Sequence, residues 1–186
     1  MTESSSLKGT IVKVFEIGCP VERAYRAFTN KQDLQEWIAD HYEIDARKGG
    51  KYKMGSETDG FVNSGEFLEA LPNELLVYTW NMQRFDEKGN PIERTVGYGT
   101  RQEPMKVTVR FEKTNKGTRI KLTHEGFPER DEDYWAHSVG WEMLAGEVLK
   151  YYLEHSKEDF DRWWNENETA WHKRWQENVT HHSKAK

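Results

Sequence analysis

Apolar and polar residues alternate through most of the first two thirds of the chain, which predicts short β-strands separated by turns. In residues 104–113 (PMKVTVRFEK), Val107, Val109 and Phe111 fall on one face. After a turn at residues 115–117, the segment 118–127 (TRIKLTHEGF) returns with a second alternating set. The other predicted strands are residues 9–17, 41–46, 51–54, 65–71 and 74–80. Strands this closely spaced indicate an antiparallel sheet.

Three other segments repeat apolar residues every three or four positions, which predicts helices. Residues 20–29 (PVERAYRAFT) begin with a proline, which is favoured in a first helical turn, and residues 31–38 (KQDLQEWI) follow directly. A longer helix is predicted from about Ser138, with an apolar stripe of Trp141, Leu144, Ala145, Val148 and Tyr152. The order strand, two short helices, strands, long helix predicts an α+β architecture in which the long helix covers the open face of the sheet.

Two further segments do not belong to this core pattern. Residues 1–8 are polar and are expected to form a mobile tail. Residues 83–104 are a long polar interruption, which we interpret as an extended hairpin tip or a lid.

The C-terminal segment 160–175 (FDRWWNENETAWHKRW) contains four tryptophans among charged residues. A helical spacing places Phe160, Trp164, Trp171 and Trp175 on one narrow face. Because residues 156–159 resemble a capping box, we predict a break near residue 156 and a separate amphipathic helix over residues 158–177. Packing against the body of the protein is the simplest interpretation of this face, and an interface in a homodimer or with another partner is the alternative.

Composition narrows the classes of function. The net charge of -5 gives no electrostatic reason to expect nucleic-acid binding. The single cysteine, Cys19, excludes an internal disulfide, and the N-terminus has no apolar signal region. No segment approaches the length of a membrane span, so we expect no membrane association and a cytoplasmic protein.

Motifs for metal, cofactor or nucleophilic chemistry are not evident. The pair Gly49 and Gly50 lacks the flanking pattern of a phosphate-binding loop, and His124 with Glu125 lacks the second histidine of a zinc-protease motif. Cys19 is interpreted as a small buried apolar residue. We therefore expect no metal and no cofactor.

The chain resembles the family named for activators of the heat-shock-ninety chaperone ATPase, a member of the START-like, birch-pollen-allergen-type (SRPBCC) superfamily. The resemblance is carried, in order, by PVERAYRAFTNKQDLQEW, DARKGGKYKM, GEFLEALPNELLVYTW, KVTVRFE, THEGFP and GWEMLAGEVLKYYL. It implies a helix-grip fold, in which a curved antiparallel sheet wraps around the long helix, often with a cavity between them. The expected domain is residues 9–157, followed by a Trp-rich helical extension and polar tail at residues 158–186.

In a helix-grip fold, several rings would face the concave side of the sheet. The candidate ligand-binding residues are Trp37, Tyr78, Trp80, Phe111, His124 and Trp141. The same rings would serve equally well to fill the core, since filled and hollow grips look alike in sequence. Tyr134 and Trp135, before the long helix, are candidate gate residues at the mouth of a cavity.

Three hypotheses follow for the function. The first is a binding module that holds a small apolar or aromatic molecule between sheet and helix. The second, implied by the resemblance, is a protein that contacts a chaperone, although the few residues before residue 9 cannot supply the separate N-terminal module of many such activators. The third is an enzyme of the polyketide cyclase or dehydratase kind with His124 as acid or base, and it ranks last because no second catalytic group is evident.

Overall fold

The computed structural model describes residues 9–92, 105–127 and 130–184. The strands are β1 (Ile11–Ile17), β2 (Tyr42–Ile44), β3 (Lys51–Ser56), β4 (Phe61–Leu71), β5 (Leu75–Arg84), β6 (Met105–Thr114) and β7 (Gly117–Glu125). The helices are α1 (Val21–Ala27), α2 (Lys31–Trp37), α3 (Glu132–Met143), α4 (Lys150–Glu154) and α5 (Lys157–Lys184), and a π-helical turn, Leu144–Leu149, joins α3 to α4. Residues 132–154 thus form one continuous helix, which we call the long helix.

The described strands form one antiparallel sheet in the order β1-β7-β6-β5-β4-β3-β2. β2 to β7 follow each other as a meander, and β1 closes the sheet by pairing with β7. The register places Val107 opposite His124 and Phe111 opposite Ile120. These four residues are buried on the concave face. The predicted α+β helix-grip architecture is therefore confirmed.

The two short helices form as predicted and cover one end of the concave face. The side chain of Asn30 caps α2 by accepting a hydrogen bond from the backbone N–H of Asp33, at 3.1 Å. The ring of Phe28 packs edge-on against both Trp37 and Phe111, with centroids 5.1 and 5.4 Å away. The indole Nε1–H of Trp37 also donates to the carbonyl oxygen of Ala27, at 2.9 Å, so α1 and α2 are tied together through one side chain.

The long helix begins six residues before the predicted start at Ser138. Asp131 caps it by accepting from the backbone N–H of Tyr134, at 3.0 Å. The predicted stripe also shifts, because a π-helical turn inserts an extra residue and rotates everything after it. Leu144 and Tyr152 are therefore only partly buried, and Leu149 and Leu153 take their places in the core.

α5 is a separate helix, as the break at residue 156 predicts, and it extends to Lys184 rather than ending at residue 177. It runs antiparallel to the long helix, as its paired contacts show: Trp163 with Tyr151, Arg174 with Glu147, and His182 with Trp135. At its N-terminus, the hydroxyl of Ser156 accepts from the backbone N–H of Asp159, at 3.1 Å. The extension therefore packs against the long helix along most of its length.

The polar interruption begins later than expected. Gln83 and Arg84 belong to β5, and a turn at residues 86–89 leads to an isolated bridge between Phe85 and Pro91. The rest of the interruption, residues 93–104, lies outside the described residues. Within the described parts of the chain, no helix has the length and apolar character needed to cross a membrane.

Candidate functional site

A pocket of about 500 Å³ lies between the sheet, α3 and α5. Its walls are largely aromatic, with rings contributed by Phe61, Trp80, Phe85, Trp141, Trp171 and Trp175. Polar side chains at the pocket are Asp59, Arg84, His137 and His172. A mostly apolar lining with a few polar groups is typical of small-molecule sites, which commonly measure about 300–1,000 Å³.

Two tryptophans from different elements form the floor of the pocket. Trp80 lies on β5, where alternation turns it inward with Leu76 and Tyr78, and Trp141 lies on the long helix. Both are buried, and their ring centroids are 5.3 Å apart. The sheet and the long helix therefore meet at this point through direct ring contact.

Each of these indoles donates a hydrogen bond to a buried histidine. Trp80 Nε1 lies 3.1 Å from Nε2 of His137, and Trp141 Nε1 lies 3.0 Å from Nδ1 of His124. Because an indole nitrogen can only donate, the two imidazole nitrogens must accept, and each imidazole is therefore neutral in this arrangement. In His137 the proton then sits on Nδ1, which is 2.9 Å from the carbonyl oxygen of Asp133.

The two histidines differ in their relation to the pocket. The sequence singled out His124, which is 0% exposed and lies behind the pocket wall, in contact with Phe127 and His137. His137, which sequence reasoning did not single out, lines the pocket. Its spacing from other buried residues of α3 could have identified it as an inward-facing residue. The predicted helix began at Ser138, however, and so did not include it.

The six predicted ligand-binding residues separate into two groups. Trp80 and Trp141 line the pocket, and their contact with a ligand stays a prediction. The other four, Trp37 of α2 and Tyr78, Phe111 and His124 of the sheet, are buried elsewhere in the core and are not part of its lining. Tyr78, for example, packs against Tyr52 and Phe67, and burial raises the pKa of its phenol well above the usual value.

The predicted gate residues lie beside the pocket rather than in its lining. Tyr134 is buried and packs edge-on against Phe127, with centroids 5.5 Å apart. Trp135 stacks on His182 of α5 at 4.6 Å. The pocket begins one residue further along α3, at Ala136. A gating role for Tyr134 or Trp135 stays a prediction.

The four aromatic residues predicted as an interface pack on their own chain. Phe160 is 2% exposed and contacts Tyr152, whereas Trp164 packs edge-on against Trp171. Trp171 is 5% exposed, and both Trp171 and Trp175 line the pocket. The buried rings of Phe160 and Trp171 offer little surface to a second copy, so a dimer through this helix stays a prediction that depends on Trp164 and Trp175.

A buried carboxylate outside the pocket joins three helices. Asp33 of α2 is 4% exposed and lies 3.1 Å from Nη1 of Arg23 and 2.9 Å from Nε of Arg26. It also accepts a hydrogen bond from the hydroxyl of Tyr152 on the long helix. Burial and this bond to Asp33 both raise the pKa of the Tyr152 phenol. The arrangement connects α1, α2 and α4, so we interpret it as structural.

The two remaining candidates are a reactive cysteine and a metal site. Cys19 is buried, and its burial raises the pKa of the thiol. Across residues 9–92, 105–127 and 130–184, no group of three or more histidine, cysteine, aspartate or glutamate side chains is placed to hold a metal ion.

Comparison with known proteins assigns the family. Residues 18–154 match the family described as "Activator of Hsp90 ATPase homolog 1-like protein". The chain belongs to this family. The match covers the short helices, strands β2 to β7 and the long helix, and it ends just before α5 begins. Two of the pocket's tryptophans, Trp171 and Trp175, therefore lie beyond the family segment.

A curated relative supports the assignment. The human (Homo sapiens) "Activator of 90 kDa heat shock protein ATPase homolog 1" is 27% identical over 139 residues, which are 75% of this chain and 33% of the human protein. The chain therefore spans about a third of the length of that relative.

Solved structures share the fold. A protein from Mesorhizobium loti is 24% identical with a TM-score of 0.59, covering 74% of this chain and 91% of its own. The Aha1 dimer from Colwellia psychrerythraea is 18% identical with a TM-score of 0.63, covering 80% and 98%. CalU16 from Micromonospora echinospora is 18% identical with a TM-score of 0.55, covering 92% and 87%. These similarities establish the helix-grip architecture of the family member described here.

Proposed function

We propose that the protein binds a small apolar or aromatic molecule in the pocket between the sheet, the long helix and α5. The observation that carries this proposal is the pocket itself, about 500 Å³ in volume with six aromatic rings in its walls. Space of this size beside several indole rings favours a flat, apolar ligand.

The polar groups of the pocket support binding rather than catalysis. His137 is held by hydrogen bonds on both ring nitrogens, to Trp80 and to Asp133. The carboxylate of Asp59 accepts a hydrogen bond from the hydroxyl of Ser56 and lies 2.8 Å from Nδ1 of His41. Groups already engaged in this way orient and shape a cavity more readily than they transfer protons to a substrate. A cyclase-like activity with His124 as acid or base remains the weakest hypothesis, since His124 lies behind the wall.

Fluorene, a flat apolar tricyclic molecule, is a suitable probe of this proposal. We expect it to bind with a stoichiometry of one per chain and to quench tryptophan fluorescence. Ala136→Phe places a ring inside the pocket and should abolish binding, because Ala136 lines it. Val14→Phe adds the same ring on the opposite face of the sheet, where Val14 is 54% exposed, and should leave binding unchanged.

Both variants must first show a cooperative unfolding transition with a Tm close to that of the wild type, so that loss of binding is not caused by misfolding. Native mass spectrometry of freshly purified protein provides a second measurement, because a resident molecule would appear as a defined added mass. Absence of fluorene binding to the wild type, or equal binding by Ala136→Phe, would contradict the proposal.

We infer contact with an Hsp90-type chaperone as a second candidate function. The family match over residues 18–154 and the human relative favour it. The test is the ATPase rate of a purified Hsp90 with and without a molar excess of the protein, with Ala136→Phe measured in parallel. Stimulation that survives this substitution would indicate a role independent of the pocket, and no stimulation together with no detectable binding would rule out this candidate.

A further inference from the structure

We propose that His137 is a positioning residue of the pocket, which holds the ring of Trp80 in place by accepting its indole N–H, so that the pocket binds its ligand most tightly while His137 is neutral. The inference rests on the proposed ligand-binding function and adds a regulation of the same site by pH. A positioning residue acts through its neighbour, and here the neighbour is one of the two tryptophans of the pocket floor.

His137 is held through both of its ring nitrogens. Its Nε2 accepts from Nε1 of Trp80 at 3.1 Å, and its Nδ1 donates to the backbone carbonyl oxygen of Asp133 at 2.9 Å. The side chain is buried, and its ring also packs edge-on against that of Trp80, with centroids 5.9 Å apart. One imidazole therefore joins the backbone of α3 to an indole of β5 and fixes the position of that indole.

Protonation of His137 would break this connection. Both nitrogens of an imidazolium are donors, so Nε2 could no longer accept from an indole, which can itself only donate. Two N–H groups would then face each other with their nitrogens 3.1 Å apart, and the ring of Trp80 would have to turn or shift. A pocket whose floor is in the binding geometry for a smaller fraction of the time has its apparent affinity reduced by that fraction.

The surroundings favour His137 over His124 as the histidine that takes up a proton. Oδ1 of Asp133 lies 3.2 Å from Nδ1 of His137, close enough for a carboxylate to pair with a protonated imidazole. His124, whose ring centroid is 5.0 Å from that of His137, is 0% exposed, whereas His137 lines the pocket, through which a proton can reach it. Among the described residues, the other charged or titratable side chains of the pocket lining come from the β3–β4 turn, β5 and α5, and they are Asp59, Arg84 and His172.

The pH dependence of fluorene binding tests the inference. Fluorene has no group that titrates near neutral pH, so any pH dependence of its affinity belongs to the protein. Histidine side chains ordinarily change charge between about pH 5 and 8, and a net hydrogen bond of the usual strength corresponds to roughly 2- to 12-fold in affinity. We therefore expect the affinity of the wild type to fall reversibly, by about fivefold, from about pH 8 to about pH 5. Circular dichroism at each pH checks that the protein stays folded.

Two substitutions should remove this pH dependence for different reasons. His137→Gln keeps a side-chain acceptor for Trp80 but does not titrate, and Trp80→Phe keeps an aromatic ring but removes the indole N–H. Each variant should bind fluorene with nearly the same affinity at both ends of the pH range, whereas a merely structural effect would weaken binding by the same factor at every pH. The matched control is His155→Gln, which changes an exposed histidine just after the long helix and should keep the affinity and the pH profile of the wild type.

A measurement on the wild-type protein covers the case in which these variants do not fold. With ¹⁵N-labelled tryptophan, one indole N–H resonance should shift with pH at the same midpoint as the affinity for fluorene. An affinity that does not change with pH, an indole spectrum that does not titrate with it, or a dependence removed by His172→Gln instead of His137→Gln would overturn the inference while the proposed function stands. If fluorene does not bind the wild type at any pH, the proposed function itself fails.

Discussion

Replacing Phe160 by alanine tests whether α5 is an integral part of the folded protein. Phe160 lies at the start of α5, is 2% exposed, and packs edge-on against Tyr152 of the long helix at 5.2 Å. Truncating a buried phenylalanine to alanine typically costs about 3–5 kcal/mol, from lost burial and the cavity left behind. We expect a loss of about 3–4 kcal/mol in the free energy of unfolding, because the first turn of a helix can partly collapse into the space. For a chain of this size that corresponds to a fall of roughly 10 °C in Tm.

Equilibrium unfolding in urea is the assay, followed by circular dichroism and by tryptophan fluorescence. Phe160→Leu keeps most of the apolar volume and should cost less than about 1.5 kcal/mol. Val14→Ala is the surface control and should change stability by no more than about 0.5 kcal/mol, since Val14 is 54% exposed. The two spectroscopic transitions should coincide in every variant. A loss below about 1 kcal/mol for Phe160→Ala would refute the reasoning, because it would mean that α5 detaches without unfolding the rest.

Three further predictions concern other parts of the fold. Asp33→Asn weakens the contacts with both arginines and with Tyr152, and it should lower the free energy of unfolding by about 1–3 kcal/mol in thermal denaturation; an unchanged Tm would contradict the structural role given to Asp33. Burial raises the pKa of Tyr78, and it does the same for Tyr52 and Tyr42. Above about pH 10 the unfolded chain therefore releases phenol protons that the folded protein keeps, so the free energy of unfolding should fall as the pH rises. Tyr78→Phe should reduce that slope by up to about 1.4 kcal/mol per pH unit, and an identical slope in both proteins would show that this phenol ionises in the folded state. Deleting residues 158–186 should lower stability without changing the number of chains per particle measured by sedimentation, whereas a change from two chains to one would indicate a dimer through α5.

Local rules account for what the sequence predicts well. Side chains alternate between the two faces of a strand, which places Val107, Val109 and Phe111 on one face of β6 whatever surrounds them. The strands and their inward residues could therefore be predicted from the sequence. Pro20 and Asn30 marked the two short helices, and Ser156 with Asp159 marked the break before α5, because capping depends on side chains a few residues apart. The order of these elements, together with the family blocks, was enough for the helix-grip fold.

The start and register of the long helix required tertiary information. Its first six residues (EDYWAH) lie before the apolar stripe from which the helix was predicted, and Asp133 and His137 are buried there in contact with each other. His137 also accepts a hydrogen bond from Trp80. The π-helical turn shifts the inward face from Tyr152 to Leu153. A regular helical spacing of apolar residues does not predict such an insertion. Non-local packing thus decided which residues face the sheet.

The sequence by itself determined the strands, the short helices, the break before α5 and the aromatic character of the inward faces, because each depends on residues that are close in the chain. Only the tertiary structure decided which rings surround empty space. Trp37 and Phe111 fill the core near Phe28, whereas Trp80 and Trp141 face a pocket that is completed by Trp171 and Trp175 from α5. The physical reason is that a cavity depends on how separate layers pack together, and α5 reaches the pocket only by folding back along the long helix.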